Sequence, residues 1–563
     1  MTNYLATSVT TEIKNSYLEY AIASNARALP NATDGLKLSH RRILQICLEN
    51  NYTADHAAVK TAKISGAVMG TLHPHGSVGP VIQNLANASD YLQPLLDLQG
   101  NQGGWSRDSR QKISNDNAAS ERYTESRLSK LSSALFDIPV KYLNTRSNYD
   151  ATSQEICNFV PALPIALLNS QQSIGTGYAS QTVAFTAANI VKALLERSNN
   201  FGLPDFAYNT NVVKDSGILD VYETGSGKIK LTGKHVVNEK ERKIVVTKLA
   251  TGTVEQFLDQ VKVAVTSEKV TGISKIKDLS SKVIEVEIYY KKSTNAVTLI
   301  ENLYRTTNLS YIYSVNNTFV TSSGYPETLT PSQLMKIWYE ERAKVLTSMF
   351  TTEVTDLNKD LEIKESLTSL LSKMKEIVSL IMESETVNQA LLDLMSGYKV
   401  TEIVAKALLD LSLKQLTKLS ATKLATEIQE LKSKIFKLNL ILSNHDTLHA
   451  EIVRRASLCL PFCSSRVSEV VNVKQEPVAK PKVVRVKKFT KQENIFNKAQ
   501  EHADLNKIKL PRFRGLKKAS EEQLFRHLVL WLHVKNTKGV DKRKLAKMTL
   551  VDLRKILQKL QIL

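Results

Sequence analysis

The sequence predicts a multidomain α+β chain, and three observations carry that reading. At 563 residues it is long enough for three or four domains, each with its own core. Between Pro331 and Gly397 there is neither Gly nor Pro, and an apolar stripe (Leu346, Phe350, Val354, Leu357, Leu361, then Leu367, Leu371, Met374, Val378 and Ile381) follows helical spacing. Residues 210–325, by contrast, hold several short strand-like runs around one helical segment near Val254–Val265. No stretch of about eighteen apolar residues exists, which predicts no membrane span. The opening Met1-Thr2-Asn3-Tyr4 lacks the basic-then-apolar layout of a secretory signal. Four cysteines (Cys47, Cys157, Cys459 and Cys463) make no disulfide framework and fit a reducing, cytoplasmic compartment. Cys459 and Cys463 have no second pair to complete a metal site, so two half-buried thiols are expected.

Charge is unevenly placed. The formal total is +20, yet the last 90 residues alone hold 24 Lys and Arg against 8 Asp and Glu, a formal +16, which leaves only about +4 for the first 473. An excess so concentrated points to a tail that binds a polyanion, with the salt sensitivity that counterion release brings.

Residues 10–26 read as a helix with Ile13, Tyr17, Tyr20 and Ala21 at helical spacing. Asn25–Asp34 is a turn-rich connector through Pro30, and a second helix runs from near Leu38 through Leu48. Lys37, His40, Arg41 and Arg42 set several cations within about two turns, either a solvated face or a grip on an anion. Residues 57–72 predict a third helix whose apolar face is Ala58, Ala62, Ile64, Val68 and Met69, with Lys60 and Lys63 opposite. Two short helices joined by a tight turn are a common way into a DNA major groove. His73 and His75 follow without a third nearby ligand, so zinc is not expected there.

Residues 118–128 contain no Gly or Pro and are rich in Ala, Glu, Arg and Leu, which predicts a helix or a helix mouth. Within them lies the pair Arg122-Tyr123. A tyrosine phenol, with a pKa near ~10, is almost wholly protonated at neutral pH and a poor nucleophile. An adjacent guanidinium can favour the phenolate, or hold a phosphate oxygen as charge builds on it. That suits attack on a phosphodiester, leaving a phosphotyrosyl ester. Alone, such a pair is more often a solvated helix face.

The company it keeps decides otherwise. Ahead of Tyr123 stand, in order, Ser16-Tyr17-Leu18-Glu19-Tyr20-Ala21, Arg27-Ala28-Leu29-Pro30, Asp34-Gly35-Leu36-Lys37 with His40-Arg41-Arg42, His73-Pro74-His75-Gly76, and Gln99-Gly100-Asn101-Gln102-Gly103. In order and spacing this series resembles the A subunit of type IIA DNA topoisomerases, the family of gyrase A, topoisomerase IV A and the medium subunit of phage topoisomerases. The resemblance implies that Tyr123 is the nucleophile and that Arg122 stabilises the pentacoordinate phosphate. His73 and His75 would assist, orienting or deprotonating the phenol. Arg27, Lys37, His40 and Arg42 match positions that grip DNA phosphates, with Arg41, Lys60 and Lys63 added to the same basic surface. The loop Ser170–Gly177 resembles the family's Gly-Ser-rich loop, in which Ile174 would wedge between bases and kink the duplex rather than close the loop as a buried hydrophobe. One departure stands out. Where bacterial relatives carry an acid, a serine and a second acid that bind quinolones, this chain has Ser77, Val78 and Ile82, which implies weak quinolone sensitivity.

The implied layout is an N-terminal arm against a partner B subunit (1–26), a winged-helix DNA-cleavage domain (27–155), an α/β tower (156–328), a long antiparallel coiled coil with a dimerisation globule (329–465), a basic linker (466–490) and a basic helical C-terminal extension (491–563). Strand-like runs in the tower block are 228–231, 243–246 and 283–288, with Glu285 and Glu287 expected on a solvent face. Thr330-Pro331 is a good helix start. A second stripe, Leu424, Ile428, Leu431, Ile435, Leu438 and Leu442, alternates by four and three as a coiled coil does. Leu408–Leu419 between the stripes resembles the exit-gate globule, with Ser412 and Ser420 where an arginine and an acid are usual. In the tail Glu521–Val534 and Leu550–Leu560 read as helices, the second capped by Thr549. No repeated β-blade of the DNA-wrapping kind is found, so negative supercoiling is not expected.

The chain also lacks a Gly-x-x-x-x-Gly-Lys-Ser/Thr loop and an Asp-x-Asp cluster for catalytic Mg²⁺. The resemblance puts both ATP and Mg²⁺ on the B subunit, with two copies of this chain in an A2B2 assembly on double-stranded DNA. Two other readings compete: a DNA-bending scaffold that has lost cleavage, and a gyrase-type supercoiling subunit working through its unusual tail. The divergent motifs and missing blades suggest a phage or viral gene in a bacterial cell.

Overall fold

Asp34 organises the start of the chain. Its Oδ1 accepts from the Leu36 N–H at 3.0 Å and its Oδ2 from the Phe159 N–H at 3.1 Å, while Arg41 closes a fork on both oxygens at 2.7 and 3.1 Å. Gly35 follows at φ +68, and a Cβ there would collide with the Ala166 backbone, so the Asp-Gly step is required by close approach as well as by backbone conformation. These contacts sit in a computed structural model that describes residues 8–88, 91–106, 110–215, 217–411 and 421–472, together with Leu528, Thr549, Asp552, Leu553, Lys555 and Gln558. The chain divides into two units, residues 1–473 and 474–563.

In the first unit, helix α1 (Val9–Ala28) leads through Pro30 into α2 (Leu38–Glu49), α3 (Thr61–Thr71) and α4 (Gly79–Ala86). Three antiparallel strands, β1 (Val59–Lys60), β2 (Leu96–Gln99) and β3 (Glu125–Leu128), lie beside them in the order β1-β3-β2. Ile43, Leu44, Ile64, Val68, Ile82 and Leu85 are fully buried between the helices. Of the two expectations for residues 118–128, a helix or a helix mouth, the helix is not there: residues 121–123 form a turn at the start of α3 and 125–128 form β3. Thr124, Ser126 and Leu128 are buried alternately, and this period of two, with partners on both edges, outweighs the helical propensity of Ala, Glu and Arg. The third helix likewise starts at Thr61, because Val59 and Lys60 pair with Ser126 and Glu125.

A six-stranded sheet shares the main core. Its order is Glu469–Asn472, Asn211–Lys214, Ser226–Thr232, Ser310–Asn316, Ala179–Gln181 and Gln172–Ile174. Two expectations change here. The linker expected from residue 466 begins later, since Glu469–Asn472 runs parallel to Asn211–Lys214 and Arg466 donates to the carbonyls of Leu203 and Pro204. The block 156–328 is also not one body. Only a four-stranded sheet (Lys234–Asn238, Lys243–Lys248, Val286–Tyr290, Ile273–Asp278) with helices Val254–Thr266 and Ala296–Thr306 has a core of its own, built on Val246, Phe257, Val261 and Ile288. Glu287 in that sheet is only 6% exposed, not on a solvent face. Its strand lies between two others, where Lys243 Nζ reaches it at 2.7 Å and the Tyr289 hydroxyl donates to it at 2.7 Å. The Lys243 bond holds that carboxyl below the usual range.

The helix Pro331–Leu370 opens with a reciprocal cap between Thr330 and Gln333. It is bolted to the body by Trp338, whose Nε1 donates to Pro161 O at 2.8 Å, and by the fully buried Arg342, which donates to Val160 O and Asp137. The helix Ala421–Leu442 runs antiparallel to it: Lys364 pairs with Glu427, while Glu353 lies beside Leu438. The first stripe is not one helix to Ile381. A 3₁₀ turn, Leu371–Lys373, intervenes and brings Ile377 into a small core with Leu367, Leu370, Leu394, Val404 and Leu408. Residues 412–420, which include most of the expected gate segment, lie outside the described residues, as do the linker from 473 and nearly all of the tail. Cys459 is fully buried rather than half-buried, and Cys463 is half-buried; burial pushes both thiols up to about 12. In the second unit, Thr549 Oγ1 donates to Asp552 Oδ2 at 2.7 Å and accepts from the Asp552 N–H at 3.4 Å, a cap at the expected position. No described helix is long and apolar enough to cross a membrane.

Candidate functional site

Tyr123 stands on a turn that also finishes a helix. The first N–H groups of any α-helix lack internal partners. In α3, the Thr61 N–H donates to Thr124 O at 2.9 Å and the Ala62 N–H to Glu121 O at 3.1 Å, so the carbonyls flanking Arg122-Tyr123 satisfy those donors. Thr124 Oγ1 adds a buried bond to Thr61 Oγ1 at 2.9 Å, and Lys60 pairs with Glu125 at 2.8 Å on the surface. The turn is fixed by its backbone, which leaves the phenol free to project: Tyr123 is 65% exposed. The Arg122 guanidinium lies over its ring at 4.9 Å from the centroid. Beside the turn opens a cleft of about 780 Å³ between α4 and residues 114–121. Glu121 faces α4 there, accepting from Ser77 Oγ at 2.9 Å, and only Gly79 leaves it room. Val78 and Ile82 are buried in the helical core, so they offer no polar group to that surface.

His73 and His75 form a second group. Their rings meet edge to face at 5.4 Å, and Arg42 Nη1 lies 3.0 Å from His73 Nδ1. A guanidinium only donates, so Nδ1 is the acceptor and the proton of the neutral ring is on Nε2. Burial, then the charges of Arg42, His75 and Arg27, lower the His73 pKa against the opposing effect of Glu155. His73 is thus a neutral donor through Nε2 with its Nδ1 lone pair already occupied, an arrangement that suits the orienting alternative expected for it better than the deprotonating one. Arg42 itself is buried and forked onto Glu155 at 3.2 and 3.0 Å, so its guanidinium is engaged by Glu155 and His73 inside the protein, not set on the exposed basic face expected for it. Among the described contacts none joins His73 or His75 to Tyr123. Glu155, 113 residues from Arg42 in sequence, gives no local signal.

The basic cluster at α2 is corrected further. Arg41 is buried and committed to Asp34. His40 is 5% exposed, and its ring meets that of Tyr91 at 72° with centroids 6.1 Å apart. Burial, then Lys37 and Arg41, bring its pKa from 6.5 to about 3, so it carries no charge to a phosphate. Since the folded value lies below the free one, this histidine's share of stability is intact above pH 6.5 and is lost on acidification toward pH 3, at about 1.4 kcal/mol per pH unit once well below 6.5. His40→Asn is expected to lose about 1.5 kcal/mol less than the wild type between pH 6.5 and 5 in urea unfolding; parallel curves would remove the assignment.

Arg27, Lys60 and Lys63 are exposed. Lys63 lies over the Tyr52 ring at 5.3 Å. Lys37 Nζ donates at 2.8 Å to Gln172 O, in the strand that ends at Ile174, and burial lowers its pKa. Ile174 is 80% exposed at the end of the hairpin Gln172–Gln181, so it does not close its loop as a buried hydrophobe. Along α1, Ile13, Tyr17, Leu18 and Tyr20 are more than half exposed. Among the described residues no three His, Cys, Asp or Glu side chains converge; Glu121 accepts from Ser77, and Glu125 is paired with Lys60.

Chemically the surface suits a polyanionic strand, with an unhindered phenol beside a guanidinium and fixed donors on a separate patch. Residues 27–456 match the family model described as the A subunit of DNA gyrase/topoisomerase IV. Two relatives are the gyrase A subunit of Leptospira biflexa, 30% identical over 480 residues (82% of this chain and 56% of the relative), and that of Staphylococcus aureus strain MRSA252, 31% identical over 461 residues (78% and 51%). The chain belongs to this family, the A subunits of type IIA DNA topoisomerases. It spans about half the length of the curated relatives it matches.

Proposed function

We propose that the chain is the strand-breaking and rejoining component of a type IIA topoisomerase, acting as two copies with a partner B subunit. In each copy the Tyr123 hydroxyl oxygen attacks a backbone phosphorus. The P–O3′ bond breaks, the 3′ oxygen leaves as a hydroxyl, and the 5′ phosphate stays on the phenol. The ester conserves the phosphodiester's energy, so rejoining is the same exchange in reverse and needs no nucleotide. Arg122 stabilises the charge on the five-coordinate phosphorus, and His73 donates to a phosphate oxygen through Nε2. Arg27 and the exposed Lys60 and Lys63 attract the flanking backbone, and Ile174 enters a base step. The observation that carries this reading is the exposed tyrosine on a turn tied to α3 with Arg122 on its ring.

In this proposal the three helices with β1–β3 serve as a winged-helix element, the four-stranded unit as the tower, and the coiled coil with exposed Met382, Val387 and Leu392 as the dimer gate. The exposed face of α1 meets the B subunit, which supplies ATP hydrolysis and Mg²⁺ to an A2B2 assembly that relaxes and decatenates DNA. Detergent-quenched reactions with a B-type subunit, Mg²⁺, ATP and supercoiled plasmid, followed by nuclease digestion and peptide mapping, are expected to yield a nucleotide on the Tyr123 peptide. A nucleotide on another peptide, or none, would sink the reading. Relaxation by this chain alone would refute the division of labour.

A further inference from the structure

The hairpin carrying Ile174 is held at its tip by a side chain of α1. Asn25, in the last turn of that helix, is 2% exposed and is the buried residue among the helix's otherwise accessible side chains. Its Nδ2 donates to Thr176 O at 3.2 Å and its Oδ1 accepts from the Thr176 N–H at 2.7 Å, so one amide engages both backbone groups of one residue, as a neighbouring strand would. Thr176 Oγ1 bonds Ser24 Oγ at 3.0 Å. Gly175 permits the approach, since a Cβ there would collide with Asn25 Oδ1 and press on Leu29. At its base the same hairpin is held by Gln171 on Gly35 O and by Lys37 on Gln172 O. The hairpin joins the rest of the six-stranded sheet through the pairing of Gln181 with Asn316, near its base, so its tip relies on these contacts, and an apolar side chain that must unstack bases gains nothing if its support can swing away.

We propose that Asn25 is a positioning residue for the Ile174 wedge: by clamping Thr176 to α1 it fixes the angle at which the isoleucine meets a base step, and hence how far the duplex bends. The inference rests on the wedge reading of Ile174. It is tested with the full chain and a doubly end-labelled duplex of about thirty base pairs, reading bend by energy transfer and affinity by anisotropy. Asn25→Ala is expected to lose about half or more of the bending signal, while affinity, carried by phosphate contacts, moves less than about threefold. Gly175→Ala, which displaces Asn25 from the hairpin side, should reproduce that loss. The double variant Asn25→Ala, Ile174→Ala should bend the duplex no less than Ile174→Ala alone, because both changes act on one wedge. If Ile174→Ala reduces bending and neither Asn25→Ala nor Gly175→Ala does, the positioning role is overturned and the wedge stands. Additive losses in the double variant also overturn it. If Ile174→Ala bends DNA like the wild type, the wedge reading itself falls, and the inference with it.

Discussion

Replacing Tyr123 with Phe is expected to remove covalent protein–DNA adducts altogether, a loss of at least about a thousandfold, because no other group takes the role of a deleted nucleophile. DNA binding should change by less than about threefold. The expectation of a selective effect comes from how the turn is built. The carbonyls of Glu121 and Thr124 anchor it to α3, and the phenol oxygen is not among those anchors. The ring that lies under Arg122 at 4.9 Å survives in Phe, and an exposed cation–π contact is worth only about 0.5–1 kcal/mol in any case. The measurement is adduct yield after detergent quench beside equilibrium binding. Adducts at the wild-type level would move the nucleophile elsewhere; binding lost along with cleavage would mean that the hydroxyl is structural.

The largest stability effect is expected from Glu155→Gln. Arg42 and Glu155 are both buried, with side chains 9% and 3% exposed, and they meet through two hydrogen bonds. Removing one charge of such a pair leaves the other without compensation, at a cost of about 3–5 kcal/mol. Arg146, 3.3 Å from the same carboxylate, is half exposed and can turn to water, so it softens the loss little. The consequence extends to the site. Glu155 is the group that raises the His73 pKa against burial and its neighbours Arg42, His75 and Arg27, so its neutralisation moves that pKa further down. Chemical denaturation would read the stability, and NMR titration of His73 the direction. Strand cleavage should fall about ten- to a hundredfold as Arg42 and His73 lose their placement. An unchanged unfolding midpoint, or a His73 pKa that rises, would refute the coupling.

Some of this is legible in residue order and some is not. The Arg122-Tyr123 pair, the two histidines, Ile174 and the heptad stripe all lie in short runs whose chemistry or spacing is local. The turn and strand at 121–128 read as helix because the composition of that run favours helix while its burial alternates, and alternation is decided by partners at Val59 and Leu96–Gln99. Arg41, Arg42 and His40 look in one dimension like a single exposed basic face. Their carboxylate partners or covering rings come from Asp34, Glu155 and Tyr91, and a linear pattern does not show which cations are neutralised. Glu287 escapes prediction for the same reason, since Lys243 reaches it across a strand pair.

What the sequence by itself determined is the chemistry on offer: a phenol with a guanidinium beside it, two close histidines, a glycine-flanked isoleucine, a Gly- and Pro-free helical arm and a strongly basic tail. What only the tertiary structure decided is which charges face outward, which nitrogen of His73 holds its proton, and that α1 grips the Ile174 hairpin through Asn25. Side-chain identity is fixed residue by residue, but desolvation and pairing depend on partners that lie from 7 to 151 positions away, and those meet only when the core closes.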